Sequence, residues 1–177
     1  SDGDRAASLG KDRARSWVRE PCMESVAVVG SGPSAAHWVR LCLAAGFEVL
    51  FVRKKGPISR VFEALSRLHG PDLVLVVGEE TTSSWIAALE SRMSPGAVLA
   101  TTFLAPPWMV ACSSRPDQFI SIVEERGQLR PYPHPHTAIG VTMATSLFLE
   151  RLTGSIGHSA TPRRRASGQS PEPVLPR

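Results

Sequence analysis

The stretch that decides the fold runs from Glu24 to Arg53 and reads ESVAVVGSGPSAAHWVRLCLAAGFEVLFVR. An apolar run of strand length, Val26–Val29, comes directly before a glycine-rich turn, and a helical stretch then carries the chain to Ala45 and Gly46. Phe47–Val52 is a second apolar run, which predicts a second buried strand. The pattern predicts a strand–helix–strand unit of about 30 residues.

The turn of this unit has the G-x-G-x-x-[G/A] spacing that is typical of dinucleotide-binding proteins. Its first glycine allows a tight exit from the strand, its second lets the backbone approach a pyrophosphate, and a small third residue lets the helix pack on the strand. The helix N-terminus offers free N–H groups and a positive dipole end to phosphate. The turn predicts a cofactor site, with a purely structural turn as the alternative, and its residues are Gly30, Ser31, Gly32, Pro33 and Ala35.

The second strand ends in a cation, where an acid that holds the ribose hydroxyls of NAD is expected. Arg53 stands there and is followed by Lys54 and Lys55. A cation suits the 2′-phosphate of NADP, and it also fits a chain that binds no dinucleotide. We therefore expect NAD or NADP as the cofactor, with Arg53 at the site.

The chain beyond this unit repeats the alternation of helix and strand. Helical spacing over Ile58–His69, and again from Thr81 or Thr82 to Met93, alternates with apolar runs at Asp72–Val77 and Ala97–Thr101. This order predicts an α/β fold of the Rossmann type, doubly wound around a mainly parallel sheet with helices on both faces. Ligands of such sheets bind at the carboxyl ends of the strands.

The end of the chain predicts one more helix and a tail. Apolar residues at helical spacing follow Thr137, and we expect their helix to end at Thr153 and Gly154. We expect a flexible segment over residues 1–23, one domain over 24–153, and a disordered basic tail rich in Pro and Ser over 154–177. Within this tail, Ser167 follows arginines in the pattern of a basophilic kinase site. The apolar positions of the helix are Ile139, Val141, Met143, Ala144, Leu147, Phe148 and Leu152.

Composition limits the classes of function. The 177 residues are 42% hydrophobic with a formal charge of +4, enough for one domain with a core. The basic residues concentrate in short runs, so nucleic-acid binding by the folded part is not expected. No apolar stretch is long enough to span a membrane. The three cysteines, Cys22, Cys42 and Cys112, have no C-x-x-C spacing, which favours free thiols in an intracellular, reducing compartment.

Six segments in collinear order resemble the NAD-binding domain of 3-hydroxyacyl-CoA dehydrogenases. They are AVVGSGPSAA, GFEVLFV, PDLVLVVGEE, SPGAVLATT, SRPDQFISI and PHPHT, and the resemblance covers roughly residues 25–152. It implies a Rossmann-type domain for hydride transfer between NAD and the 3-hydroxyl carbon of an acyl-CoA. It also places Glu80 near the cofactor, while Thr101 could contact the nicotinamide ribose. Helix-dipole complementarity explains Glu80 equally well, and β-propensity explains Thr101.

The chain departs from this family at the catalytic residues. Val123–Gly127 replaces the segment that carries the family's catalytic His, so a catalytic residue is not identified. The family's helical second domain, which dimerises and completes the acyl-CoA site, has no counterpart among these residues. His134 and His136 are the candidate bases that remain, but they stand in a proline-rich stretch that we interpret as a connector before a helix capped by Thr137. No acid or cysteine accompanies them at ligand spacing, so a metal site is not predicted.

Two functions fit these residues. The first is an NAD(P)-binding domain of an oxidoreductase of the 3-hydroxyacyl-CoA dehydrogenase type, with a dinucleotide and an acyl-CoA as ligands. The second is a catalytically inactive Rossmann-fold module that regulates or binds a protein partner or a second copy of itself. The sequence supports the Rossmann-type fold for both functions, whereas the missing base and the missing second domain favour the second.

Overall fold

A computed structural model describes residues 23–54, 59, 63–64, 66, 70–78 and 83–158, the last four by their backbone alone. Strands and helices alternate along most of this part of the chain. The strands are β1 (Ser25–Gly30), β2 (Glu48–Arg53), β3 (Leu73–Val76), β4 (Val98–Thr101), β5 (Phe119–Glu125) and β6 (Gln128–Pro133). The helices with complete bounds are α1 (Gly32–Ala44), α2 (Ser83–Glu90), α3 (Pro107–Ala111) and α4 (Ile139–His158), and a 3₁₀ turn covers Pro116–Gln118.

The described strands form one sheet in the order β2-β1-β3-β4-β5-β6. β1 to β5 are parallel, and β6 pairs antiparallel with β5. β3 and β4 lie inside the sheet and are buried along their whole length, which is why both appear in the sequence as continuous apolar runs. The prediction of a doubly wound, mainly parallel α/β sheet is confirmed.

Helices cover both faces of the sheet, and the core has two layers. On one face α1 and α4 pack against the strands, and their buried residues include Trp38, Cys42, Phe148 and Leu152. On the other face α2 and α3 supply Ile86, Leu89 and Met109. Helices on both faces of the sheet agree with the doubly wound arrangement that the sequence predicts.

The second strand differs from its prediction. It was expected to be buried, but β2 lies at the edge of the sheet. Of its six residues, Val52 is buried, whereas Glu48, Phe51 and Arg53 are exposed. An apolar run fits an edge strand as well as an inner one, because periodicity alone does not give the strand order.

Helix α4 buries part of its predicted apolar set, because Ala144, Phe148 and Leu152 are buried whereas three other members are exposed. Ile139, Met143 and Leu147 are exposed, at 79%, 62% and 49% of their full accessibility. The buried face lies next to them on the helix and consists of Ala144, Thr145, Phe148, Leu149 and Leu152. The helix also continues past Gly154 to His158 instead of ending there.

The hairpin of β5 and β6 was not predicted. Its turn is Arg126 and Gly127, which both have positive φ (52° and 77°), the conformation of tight two-residue hairpin loops. Within the part of the chain that the structure describes, no helix is long and apolar enough to cross a membrane.

Several predictions fall outside the described residues. They concern the flexible segment before Met23, the core positions of the 58–69 helix, the cap at Thr81 or Thr82, and the tail with Ser167. The described members of the 58–69 segment, Ser59, Glu63, Ala64 and Ser66, are helical. The domain bounds of 24 and 153 remain expectations.

Candidate dinucleotide site

Gly30 ends β1 at a point of close packing. A Cβ at this position would lie 2.9 Å from the carbonyl oxygen of Val77 and 3.2 Å from the Cβ of Ala35. Ala35 is itself fully buried. The first turn of α1 can therefore lie against the end of β1 only because both positions are small, as the sequence pattern predicted.

Gly32 is required for a different reason from Gly30. Its backbone conformation disfavours a side chain, although there is room for one. Its φ is +77°, whereas a Cβ built on it would meet nothing within 4 Å. Ser31 before it is exposed and extended (φ −144°, ψ 161°) and makes no side-chain hydrogen bond to the helix. Pro33 follows in the first turn of α1. The backbone at the start of this helix is therefore exposed, and a ligand can approach it closely.

The surroundings of this turn favour an anion. The first turn of α1 contains no acidic residue. Arg53, exposed at the end of β2, is the register partner of Gly30, and the N–H of Lys54 donates to the Gly30 carbonyl at 2.9 Å. The Lys54 ammonium lies 5.5 Å from the ring centre of Trp85 on α2. The sheet thus holds Arg53 on the strand next to the glycine turn, and Lys54 follows it in the chain.

Thr101 lies at the same edge of the sheet, but its side chain is fully buried. Its hydroxyl donates to the carbonyl of Phe103 at 2.7 Å and lies 2.9 Å from the hydroxyl of Ser121 on β5. The hydroxyl therefore faces protein groups in this structure. Glu80, the other cofactor residue suggested by the family resemblance, lies outside the described residues.

His134 is held by the sheet. Its Nε2 lies 2.9 Å from Ser121 Oγ, and burial lowers the pKa of His134. Its backbone N–H donates to the Thr137 hydroxyl, which in turn donates to the carbonyl of Phe119. The prediction that Thr137 caps the last helix is therefore wrong, since its hydroxyl fastens the connector to β5. His136 is exposed, and the described residues contain no cluster of three or more potential metal ligands.

Ser121 is the residue that sequence reasoning missed. It is fully buried in β5 and contacts three polar groups, on Thr101, Ala105 and His134. The sequence does contain one signal, which is the single hydroxyl inside the apolar run FISIV. A hydroxyl that is buried with such a strand requires a hydrogen-bond partner, so Ser121 had to contact another polar group.

No protein-family model matches the chain, and no curated protein matches it. Solved structures do match, at low identity. (S)-3-hydroxybutyryl-CoA dehydrogenase from Ralstonia eutropha is 14% identical with a TM-score of 0.59, over 74% of this chain and 61% of its own. Prephenate dehydrogenase from A. aeolicus, solved with hydroxyphenyl propionate and NAD+, is 13% identical with a TM-score of 0.58, over 74% of this chain and 58% of its own.

A 3-hydroxyacyl-CoA dehydrogenase from Archaeoglobus fulgidus gives a similar result, with 14% identity and a TM-score of 0.55 over 75% of this chain and 54% of its own. The chain thus spans between about half and three fifths of these structures. At such identity the likeness shows the fold, which is the Rossmann-like α/β fold of these dehydrogenases.

Proposed function

We propose that this domain binds a nicotinamide dinucleotide, with the pyrophosphate at the Gly30–Ala35 turn. The observation that carries the proposal is the backbone at Gly32, which combines positive φ with open space at a helix N-terminus. A phosphate there would receive N–H donors and the positive end of the α1 dipole, with no first-turn acid to repel it.

The position of Arg53 supports a preference for NADP over NAD. Arg53 is the last residue of the strand next to the glycine turn, at the position where NAD-binding proteins place an acid for the ribose hydroxyls. A guanidinium can form charge-assisted hydrogen bonds with a 2′-phosphate, whereas it offers no acceptor to those hydroxyls. Ser31, Pro33 and Ala35 complete the turn, and Glu80 remains a predicted contact. Thr101 does not, because its side chain is fully buried and its hydroxyl is bonded within the protein.

For the reaction, we propose hydride transfer of the 3-hydroxyacyl-CoA dehydrogenase type, with this chain supplying the cofactor site. The similar structures include two dehydrogenases of such substrates, which supports this reaction class. A general base has to lie within hydrogen-bond reach of the substrate hydroxyl. Nε2 of His134 is engaged with Ser121, so Nδ1 of His134 and the exposed His136 remain as the candidate bases of this connector.

The alternative function is a dinucleotide-responsive module without catalysis. The exposed stripe of Ile139, Met143 and Leu147 on α4 favours it, because exposed apolar residues in a row are typical of surfaces that contact another chain or domain.

A titration separates these functions. We expect NADPH, followed by its nicotinamide fluorescence, to bind saturably and more tightly than NADH. Oxidation of the bound NADPH by acetoacetyl-CoA would support the enzyme, and binding without oxidation would support the module. Absence of saturable binding of either nucleotide would reject both.

A further inference from the structure

A second site lies away from the glycine turn, and none of its lining residues belongs to that turn. It is an open cavity of about 480 Å³ between helix α3 and the His134–His136 segment. Its size is within the range of small-molecule sites. Because β5 lies three strands from β1, at about 4.8 Å per strand, some 14 Å separate the two strands that carry the sites. The walls are mainly apolar and include Ala105, Pro107, Val110, Ala111, Pro116 and Pro135.

The hydrogen bonds beneath this cavity fix which nitrogen of His134 carries a proton. A carbonyl only accepts, so the single hydroxyl proton of Thr101 is used on Phe103. Ser121 must then donate its own proton to Thr101 across their 2.9 Å contact. With that proton used, the contact between Ser121 Oγ and His134 Nε2 requires the ring to donate. His134 therefore carries its proton on Nε2.

The other ring nitrogen is left as an acceptor. Burial lowers the pKa of His134 and so favours the neutral ring, whose Nδ1 then has a free lone pair. In the part of the chain that the structure describes, the hydrogen bond of the His134 ring is made by Nε2, and His134 as a whole is half-buried. His134 is one of the residues that line the cavity.

The ring is also held in a fixed orientation. Phe119 lies edge-on with ring centres 5.5 Å apart, and Tyr132 lies edge-on at 5.9 Å. The backbone N–H of His134 is bound by Thr137, and Ser121 Oγ accepts a further bond from the Ala105 N–H, which ties the start of the α3 segment to β5. An acceptor fixed in this way is preorganised for a ligand.

We propose that this cavity binds a small, largely apolar molecule with one hydroxyl donor, such as a phenol, and that Nδ1 of His134 accepts the hydrogen bond that orients it. The other polar groups of the wall are less suited to this role. The Ser113 hydroxyl donates to Glu90, and His136 lies exposed at the rim. The site is independent of dinucleotide binding.

The test compares 4-methylphenol with toluene, which has nearly the same shape but no hydroxyl. We expect NMR of the ¹⁵N-labelled protein at pH 7.5 to show His134 protonated on Nε2 alone. Addition of 4-methylphenol should shift its Nδ1 resonance, and 4-methylphenol should bind about fivefold more tightly than toluene, the difference of one neutral hydrogen bond. A proton on Nδ1 in the free protein, or equal binding of both probes, would overturn the proposal.

A matched pair of variants tests the location. Ala111 and Ala87 are both exposed helical alanines, and only Ala111 lines the cavity. Ala111→Trp should fill the cavity and weaken 4-methylphenol binding at least tenfold, whereas Ala87→Trp should leave it unchanged. Equal effects of the two substitutions would overturn the assignment. The tautomer of the unmodified protein decides the proposal independently if Ala111→Trp does not fold.

Discussion

Gly30 and Arg53 are register partners at the carboxyl ends of two adjacent parallel strands, and the N–H of the next residue, Lys54, donates to the Gly30 carbonyl. The glycine turn and the cation are thus attached to each other by the sheet ladder and not by a flexible loop. A ligand that spans a phosphate site at the turn and a second phosphate at Arg53 would meet two backbone positions that the sheet holds in a fixed relation.

Removal of the Arg53 side chain should therefore change nucleotide selectivity. We expect Arg53→Ala to weaken NADPH binding about tenfold, the equivalent of one charge-assisted hydrogen bond of ~1.5 kcal/mol, and to change NADH binding less than twofold. Arg40→Ala is the matched control, because Arg40 is exposed on α1, eight residues and ~12 Å past Gly32. Equal losses for both nucleotides, or for both variants, would show that Arg53 contributes only general positive charge.

Arg151 should contribute to stability, because it fastens α4 to the end of α1. Its guanidinium donates to the carbonyls of Ala45 and Gly46 at 2.9 and 3.1 Å and lies 4.0 Å from the ring centre of Phe47. We expect Arg151→Ala to lower the free energy of unfolding by ~1 to 2 kcal/mol in urea denaturation. Arg130→Ala, which removes one 3.4 Å contact, should cost less than ~0.5 kcal/mol. A smaller loss at Arg151 than at Arg130 would contradict this reading of the contacts.

Cys42 should be unreactive in the folded protein. It is fully buried, and burial raises the pKa of its thiol to about 12, so almost no thiolate exists at pH 8. In a variant with Cys22→Ser and Cys112→Ser, we expect no reaction with Ellman's reagent until urea unfolds the chain. Restoring Cys112, which is exposed, should restore rapid labelling. Rapid labelling of Cys42 in the folded double variant would show that its site opens easily.

His134 should make the fold more sensitive to acid. Its folded pKa is lowered from the ordinary value of 6.5 by burial. Below pH 6.5 the unfolded chain takes up a proton that the folded chain resists, so this group lowers the free energy of unfolding as pH falls and has little effect above pH 6.5. We expect His134→Gln, which keeps a donor for Ser121, to lose less stability than the original chain between pH 7 and 5. If urea denaturation shows that both proteins lose the same free energy of unfolding over this pH range, the lowered pKa of His134 is contradicted.

The inner strands could be predicted because their environment leaves a local signal. β3 and β4 are covered on both faces and therefore appear as unbroken apolar runs. β6 leaves no such signal, since QLRPYP contains two prolines and belongs to the sheet only as an edge strand, where missing N–H donors are tolerated. Ile139 and Met143 belong to the apolar positions of the predicted helix but are exposed, because helical spacing does not say which of two adjacent apolar faces meets the sheet.

The candidate site also has a part that the sequence predicts and a part that it does not. The glycine turn is a local feature, because Gly30, Gly32 and Ala35 lie within six residues and each has a requirement that the sequence alone expresses. The contact between Ser121 and His134 depends on the β5–β6 hairpin, so it could not be predicted without that hairpin. The sequence predicts His134 as a connector residue, and the folded chain adds its contact with the Ser121 hydroxyl.

The central claim is that the open backbone at Gly32 receives the pyrophosphate, and one comparison of NADPH affinities tests it most directly. Gly32 and Gly127 share a φ of +77° and open space around a built Cβ, but Gly127 lies in the hairpin turn between β5 and β6. Alanine at either position should therefore cause similar backbone strain. We predict that Gly32→Ala raises the Kd for NADPH at least tenfold relative to Gly127→Ala. Equal Kd values for the two variants would contradict the claim.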